Sequence, residues 1–114
     1  MKNTMNNTMT ANEVIATSKV KLTVSEHFVE QLYERFGMTI NVKDSFTRAK
    51  QVNIYNCNKF GKTIAERVIG KHKYEPNQKL YVNSYYDQVF VVDFATNMLV
   101  TTYKLSEAKS QYEI

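Results

Sequence analysis

A histidine and an arginine lie two helical turns apart in the most clearly bounded segment of this sequence. His27 and Arg35 flank Gln31, so the three residues recur at intervals of four. In an α-helix this spacing places side chains along one flank. Histidine can transfer protons near neutral pH, and arginine holds oxyanions with a planar fork of N–H donors. If this chain performs chemistry, we expect these residues to take part in it.

The surrounding residues predict the helix that this spacing requires. Apolar residues recur at spacings of three and four, which is typical of an amphipathic helix with one buried stripe. They are Val24, Phe28, Leu32 and Phe36. Thr23 and Glu26 have capping-box spacing, Ser25 is an alternative N-cap, and Gly37 can end the helix. Each polar residue of the trio precedes a stripe residue, so the trio borders the buried face.

Both residues also have ordinary structural interpretations. His27 can be a surface histidine near a helix start. Arg35 can be a cation that stabilises the negative end of the helix dipole. The sequence leaves these alternatives open.

The C-terminal third carries the clearest strand pattern. Residues 79–83 alternate polar and apolar, 88–94 form a continuous β-branched and aromatic run, and 98–104 form a third strand. The intervening segments 84–87 and 95–97 are short enough for hairpin loops. These three strands predict an antiparallel meander.

The remaining elements are less sharply bounded. A short strand is predicted over 20–24, and a second helix begins after an N-cap at Asn41 and runs to about Lys50. Residues 52–55 fit the end of that helix or a short strand. Residues 60–72 fit a helix ending at Gly70 or a strand, and the apolar period favours the helix.

The predicted fold class is α+β, with N-terminal helices packed on one face of a C-terminal antiparallel β-meander. We expect a flexible polar tail over 1–12, a single domain over 13–106 and a frayed C-terminal end over 107–114.

Composition narrows the class of protein. The 114 residues contain no apolar run long enough to cross a bilayer, no signal peptide and one cysteine, so we expect a cytoplasmic protein with no internal disulfide. No histidine–cysteine spacing predicts a metal site, and no cofactor motif is present. The net charge of +4 favours polyanionic partners or simply solubility. The residue usage is typical of AT-rich codons, which points to a low-GC bacterium or its phage. The oligomeric state stays open.

The order of these elements and their motifs resembles a known family. A strand, a helix carrying His27 and Arg35, a second helix, and a meander ending in Thr101-Thr102-Tyr103 are similar to small uncharacterised bacterial domains. Those domains are placed in the barnase/colicin/RelE-like ribonuclease superfamily. Their helix reads roughly His-x-x-x-Arg-x-x-x-Arg, and their last strand reads roughly Ile/Val-Thr-x-Tyr. Gln31 stands where the family has its middle arginine, and the resemblance covers about residues 19–105.

The resemblance implies a toxin-type, metal-independent endoribonuclease, or an RNA-binding domain derived from one. Cleavage needs a base for the ribose 2′-hydroxyl, a cation for the phosphate and an acid for the leaving oxygen. His27, Arg35 and Tyr103 are the expected catalytic residues. The expected substrate contacts are Gln31, Thr101, Thr102, Lys104, Lys71, His72 and Lys73. His72 is an alternative catalytic histidine, and Thr101 to Tyr103 can equally be ordinary strand residues.

Two other functions fit the same sequence. The first is a non-enzymatic accessory protein of a phage or mobile element that binds and inhibits a host or defence protein. Tyr81, Tyr85 and Tyr86, around one hairpin, could form its contact patch. The second is a nucleic-acid binder without cleavage that uses the basic side chains around the third predicted helix, although such charges are usually a solvated face. They are Lys59, Lys62, Arg67, Lys71, His72 and Lys73.

Overall fold

A six-stranded sheet forms the centre of the protein. The computed structural model describes residues 9–37 and 40–110, with the backbone alone for residues 109 and 110. The strands are β1 (Val14–Ala16), β2 (Lys21–Val24), β3 (Lys50–Val52), β4 (Gln78–Asn83), β5 (Gln88–Asp93) and β6 (Met98–Lys104). The helices are α1 (Glu26–Phe36), α2 (Val42–Arg48), α3 (Lys62–Tyr74) and α4 (Leu105–Ser110), with a 3₁₀ helix over Cys57–Phe60. The order across the sheet is β1-β2-β6-β5-β4-β3.

The predicted meander is confirmed. Strands β4, β5 and β6 pair antiparallel through the two short loops. Asp87 and Asn97 adopt positive φ in those loops, a conformation that Asp and Asn accept more readily than most residues. A bulge interrupts the last pair: Val91 pairs with Thr101 and Val92 with Leu99. The bulge leaves Val100 as an extra residue in β6.

The sheet is twice as wide as the predicted meander. β1 and β2 form an antiparallel hairpin, and β3 pairs antiparallel with β4 at the opposite edge. β1 and β3 are three residues long, too short for an alternating pattern to identify them. β2 runs parallel to β6, but their pairing ends at Val24 and Leu99. The rest of β6 therefore extends past the end of its neighbour.

The expectation that helices cover one face of the sheet is wrong, because both faces are covered. α1 and α2 pack through Phe28, Leu32 and Phe46 against Phe90 and Val92 of β5. On the opposite face α3 and α4 pack against the alternate residues of the same strands. That second core includes Ile64, Ala65, Val68, Leu80, Val82, Val89, Val91, Leu105 and Ala108. A strand covered on both sides reads as a continuous apolar run, which is the pattern of β5.

Helix α1 begins at Glu26, directly after Ser25. The Ser25 side chain accepts a hydrogen bond from the Phe28 amide at 3.0 Å, so Ser25, rather than the Thr23 capping box, is the N-cap. Gly37 ends the helix with φ of 65°. Helix α2 has the predicted cap, since the Asn41 side chain accepts from the Asp44 amide at 3.1 Å.

Helix α3 continues past the predicted stop at Gly70 and ends at Tyr74. The chain leaves the helix at Glu75, the residue before Pro76, because proline disfavours helical backbone in the residue that precedes it. Lys71, His72 and Lys73 therefore form the last helical turn and not a loop.

The ends of the domain also differ from the prediction. Met9 is 7% exposed and belongs to the first core, and the Asn12 amide donates to the Val24 carbonyl at 2.8 Å. Of the tail predicted over 1–12, residues 9–12 thus pack on the domain, and residues 1–8 lie outside the described part. At the other end Leu105 and Ala108 of α4 are buried. A frayed end was predicted over 107–114, but residues 107 and 108 belong to this packed helix. Residues 111–114 lie outside the described part.

Candidate functional site: a basic cleft at the open edge of strand β6

A cleft of about 330 Å³ lies where β6 extends past β2. Its wall combines Arg35 from α1, Arg67 from α3, and Thr101, Tyr103 and Lys104 from β6. Glu107 and Ala108 of α4 complete the lining. We call this the basic cleft. It forms because the helices on the two faces of the sheet both reach the edge that β2 leaves open.

Arg35 is held at this edge by the backbone. Its Nη1 donates to the Thr102 carbonyl at 3.2 Å, on the stretch of β6 beyond the last β2 pair. The arginine thus binds a β6 carbonyl in the stretch where β2 no longer pairs with the strand. A guanidinium has five N–H donors, so one such bond leaves others able to bind an anion.

Tyr103 and Arg67 form the centre of the cleft. The Arg67 guanidinium carbon lies 4.6 Å from the centre of the Tyr103 ring, in a cation–π contact. The Tyr103 hydroxyl oxygen is buried, and no described residue reaches it with hydrogen-bond geometry. Burial raises the pKa of Tyr103, while the direct interaction of its side chain with Arg67 and the charges of Arg67 and Arg35 act in the opposite direction. The phenol is therefore protonated at neutral pH.

Lys104 adds the third cation of the cleft. Its Nζ lies 5.9 Å from the centre of the Phe36 ring, at the C-terminal end of α1. Glu107 contributes the one carboxylate among the described lining residues. Three cations and one carboxylate leave an excess of positive charge, so the cleft favours anions.

Four of the predicted site residues come together here: Arg35, Thr101, Tyr103 and Lys104. Arg67 was predicted only as one of the basic residues of the alternative nucleic-acid-binding surface. Glu107 was missed because its segment was expected to be frayed. The spacing of three between the apolar residues Leu105 and Ala108 is the sequence pattern that could have predicted α4.

Thr102 is in the core and not in the cleft. Its hydroxyl donates to the Val89 carbonyl at 2.8 Å and accepts from Gln88 Nε2 at 3.0 Å. Gln88 Oε1 in turn accepts from the Ser45 hydroxyl at 2.7 Å. All three side chains are fully buried. The expected substrate contact is thus a structural group, and its backbone carbonyl accepts the hydrogen bond from Arg35.

His27 and Gln31 do not line the cleft, although they share the helix flank with Arg35. His27 is exposed in the first turn of α1, and its eight-residue separation from Arg35 corresponds to about 12 Å along the helix axis. Gln31 is half-buried, and its Oε1 has no hydrogen-bond partner among the described residues. The sequence spacing was correct, but the cleft opens only at the far end of the helix.

The basic residues at the end of α3 lie outside the lining of the basic cleft. Lys71 and His72 line a separate pocket of about 230 Å³ with residues of β3 and β4. Lys71 Nζ donates to Gln78 Oε1 at 2.6 Å, and Lys73 Nζ lies 5.2 Å from the centre of the Tyr74 ring. The predicted substrate contacts therefore belong to at least two different surfaces.

The proposed tyrosine patch is also divided. Tyr81 is half-buried against Phe46 and Phe94. Tyr86 donates its hydroxyl to Asp44 Oδ2 at 2.9 Å, and Tyr85 is 89% exposed beside it. Only Tyr85 and Tyr86 share a surface, with ring centres 5.1 Å apart.

Among residues 9–37 and 40–110, no group of three or more His, Cys, Asp or Glu side chains is placed to hold a metal ion. None of the described helices is long and apolar enough to span a bilayer. No protein-family model, curated protein or solved structure matches this chain. The resemblance to the ribonuclease superfamily therefore stays a prediction. The basic cleft is the feature that indicates a function.

Proposed function

We propose that this protein binds RNA, with a backbone phosphate in the basic cleft. The observation that carries the proposal is the convergence of Arg35, Arg67 and Lys104 on one concave surface that Tyr103 also lines. Guanidinium groups bind phosphate oxygens in a bidentate manner, and the lysine ammonium adds a point charge with three donors. The predicted relationship to ribonucleases favours RNA over other polyanions.

The geometry supports binding more directly than cleavage. Cleavage requires groups that transfer protons to and from the ribose and the leaving oxygen. Both histidines of the chain lie outside the described lining of the cleft. The cleft cations can hold and neutralise a phosphate without any proton transfer. Binding is therefore the proposed activity, and cleavage is tested separately on the same RNA.

The test is fluorescence anisotropy with a labelled single-stranded RNA oligomer. Lys104→Gln and Arg35→Gln each remove one cleft cation and should weaken binding by about three- to tenfold, because each removes one phosphate contact. Lys43→Gln and Arg48→Gln are matched controls: both residues are exposed on α2 and lie outside the cleft lining. Equal affinities for the cleft variants and their controls would reject the basic cleft as the RNA site.

Cleavage is examined on the same oligomer by gel electrophoresis after long incubation. An intact oligomer is the expected result for a protein that only binds. Cleavage that disappears in His27→Ala while binding persists would show that the histidine reaches bound RNA, and it would extend the activity to catalysis.

A protein-binding function is the second candidate, favoured by the exposure of Tyr85 beside Tyr86 on the β4–β5 loop. Exposed tyrosines are frequent at protein interfaces. Purification of the tagged protein from bacterial lysate distinguishes the candidates. A stoichiometric protein partner lost in Tyr85→Ala would support inhibition of a host or defence protein, and RNA lost in Lys104→Gln would support the basic cleft.

A further inference from the structure

An apolar groove of about 490 Å³ adjoins the basic cleft on the α3 side of β6. Arg67, Thr101 and Tyr103 line both, so the two depressions meet at the cation–π pair. The groove continues over Val91 and Val100, the second of which is the bulged residue of β6. Its volume lies within the range of small-ligand sites, roughly 300–1,000 Å³.

One stripe of α3 forms the opposite wall of the groove. Residues 67, 70, 71 and 74 are spaced by three and four, so they share a face of the helix. Gly70 has no side chain, and a Cβ built on it meets no atom within 4 Å. Glycine weakens a helix interior relative to alanine. At this position it leaves open space between the helix and the strand.

An aromatic side chain closes the outer end of the groove. Tyr74 is 74% exposed at the last position of α3. On the rim, Lys71 Nζ is bonded to Gln78 Oε1 at 2.6 Å and lies 3.5 Å from Glu75 Oε1. The groove thus combines apolar residues, an exposed tyrosine and polar groups in its lining.

We infer that this groove binds an unstacked nucleobase of the RNA whose phosphate occupies the basic cleft. This inference depends on the proposed function. A base and its phosphate are attached to the same sugar, so their sites must adjoin, as the groove and the cleft do at Arg67 and Tyr103. Bases bound in this way stack on aromatic rings and arginine planes and present polar edges to the protein. A paired base within a duplex cannot enter, so the ligand class is single-stranded RNA.

The test compares three fluorescent probes of equal length: single-stranded RNA, its duplex, and a single strand in which every nucleotide is abasic. The unaltered protein should bind the single strand about tenfold more tightly than the abasic strand, because stacking of even one base has an effect of this size. It should also prefer the single strand to the duplex.

Two substitutions remove the base site by different means. Gly70→Leu fills the open space in the groove, and Tyr74→Ala removes the exposed ring. Each should lower affinity for the single strand about tenfold and leave affinity for the abasic strand unchanged. Tyr85→Ala, at another exposed tyrosine, on the β4–β5 loop, is the control and should change neither. Circular dichroism checks that Gly70→Leu is folded, and the exposed Tyr74 variant decides the matter if it is not.

The outcomes separate this inference from the proposed function. Equal binding of the base-containing and abasic strands by the unaltered protein, both weakened by Lys104→Gln, would overturn the base site and keep the phosphate site. A preference for bases that survives both Gly70→Leu and Tyr74→Ala would also overturn it. If the unaltered protein and Lys104→Gln bind all three probes with equal affinity, the phosphate site is rejected, and the base site with it.

Discussion

Single residues of this protein have roles that their types alone do not reveal. Arg35 and Thr102 were both predicted to be site residues. The arginine side chain reaches the basic cleft, whereas the threonine hydroxyl is turned into the core. The position of the threonine follows from side-chain alternation, because successive side chains in β6 point to opposite faces of the sheet. Tyr103 points to the α3 face, where it meets Arg67.

The burial of Tyr103 predicts a loss of stability at alkaline pH. Burial raises its pKa, so stability is fully present below the ordinary tyrosine value of about 10 and falls as pH rises through the higher folded-state pKa. Tyr103→Phe removes the titrating group, so its stability should fall less steeply above about pH 10. Urea denaturation midpoints measured from neutral to alkaline pH test this, with the exposed Tyr55→Phe as the control. Parallel curves for Tyr103→Phe and the unaltered protein would contradict it.

At the scale of elements, one serine joins the first helix to the last strand. The Ser25 hydroxyl caps α1 through the Phe28 amide and donates to the Val100 carbonyl at 3.0 Å. These bonds place the start of α1 beside the point where β2 pairing ends. The course of α1 along β6, and with it the position of Arg35, follows from this junction.

We expect Ser25→Ala to lower the free energy of unfolding by about 1–2 kcal/mol, because it removes the N-cap and the bond to β6. Thr23→Val is the matched comparison, since Thr23 belongs to the alternative cap predicted from sequence. It should change stability by less than about 0.5 kcal/mol. Chemical denaturation measures both, and a larger loss in Thr23→Val would show that the capping box is the true helix start.

The buried polar chain between α2 and the sheet provides a second test at this scale. Thr102→Val keeps the side-chain shape but leaves Gln88 Nε2 without the acceptor that it now has at 3.0 Å. An unsatisfied buried donor costs about 1–3 kcal/mol, so we expect a loss of that size in urea denaturation. Thr101→Val, on the half-exposed neighbouring residue, should cost less than about 0.5 kcal/mol. Equal losses would mean that the buried hydrogen bonds contribute little.

For the molecule as a whole, charge predicts how RNA binding depends on salt. The net charge is +4, and three of the cations on described side chains line the basic cleft. If these neutralise up to three phosphates of a single strand, the slope of log affinity against log salt concentration should be about −2. Lys104→Gln should make the slope shallower by about 0.7, whereas Lys43→Gln should leave it unchanged. Anisotropy titrations from low to moderate salt measure the slope, and a slope near zero would argue against phosphate contacts.

The sequence by itself determined the elements with long, regular patterns. The apolar period of α1, the Asn41 cap of α2 and the three strands of the meander were all predicted close to their observed positions. These features depend on neighbouring residues along the chain, through helical spacing, capping and strand alternation. Helical spacing identified Arg35 as a candidate, and the resemblance to the ribonuclease superfamily pointed to Tyr103 and the end of its strand.

Only the tertiary structure decided which candidates meet. The short strands β1 and β3, the helical continuation through Gly70 and the burial of α4 depend on packing partners distant in the chain. The basic cleft exists because β2 stops at Val24 while β6 continues, and because α1 and α3 approach that edge from opposite faces of the sheet. No local pattern encodes that meeting, so the partnership of Arg35 with Arg67 was visible only in the fold.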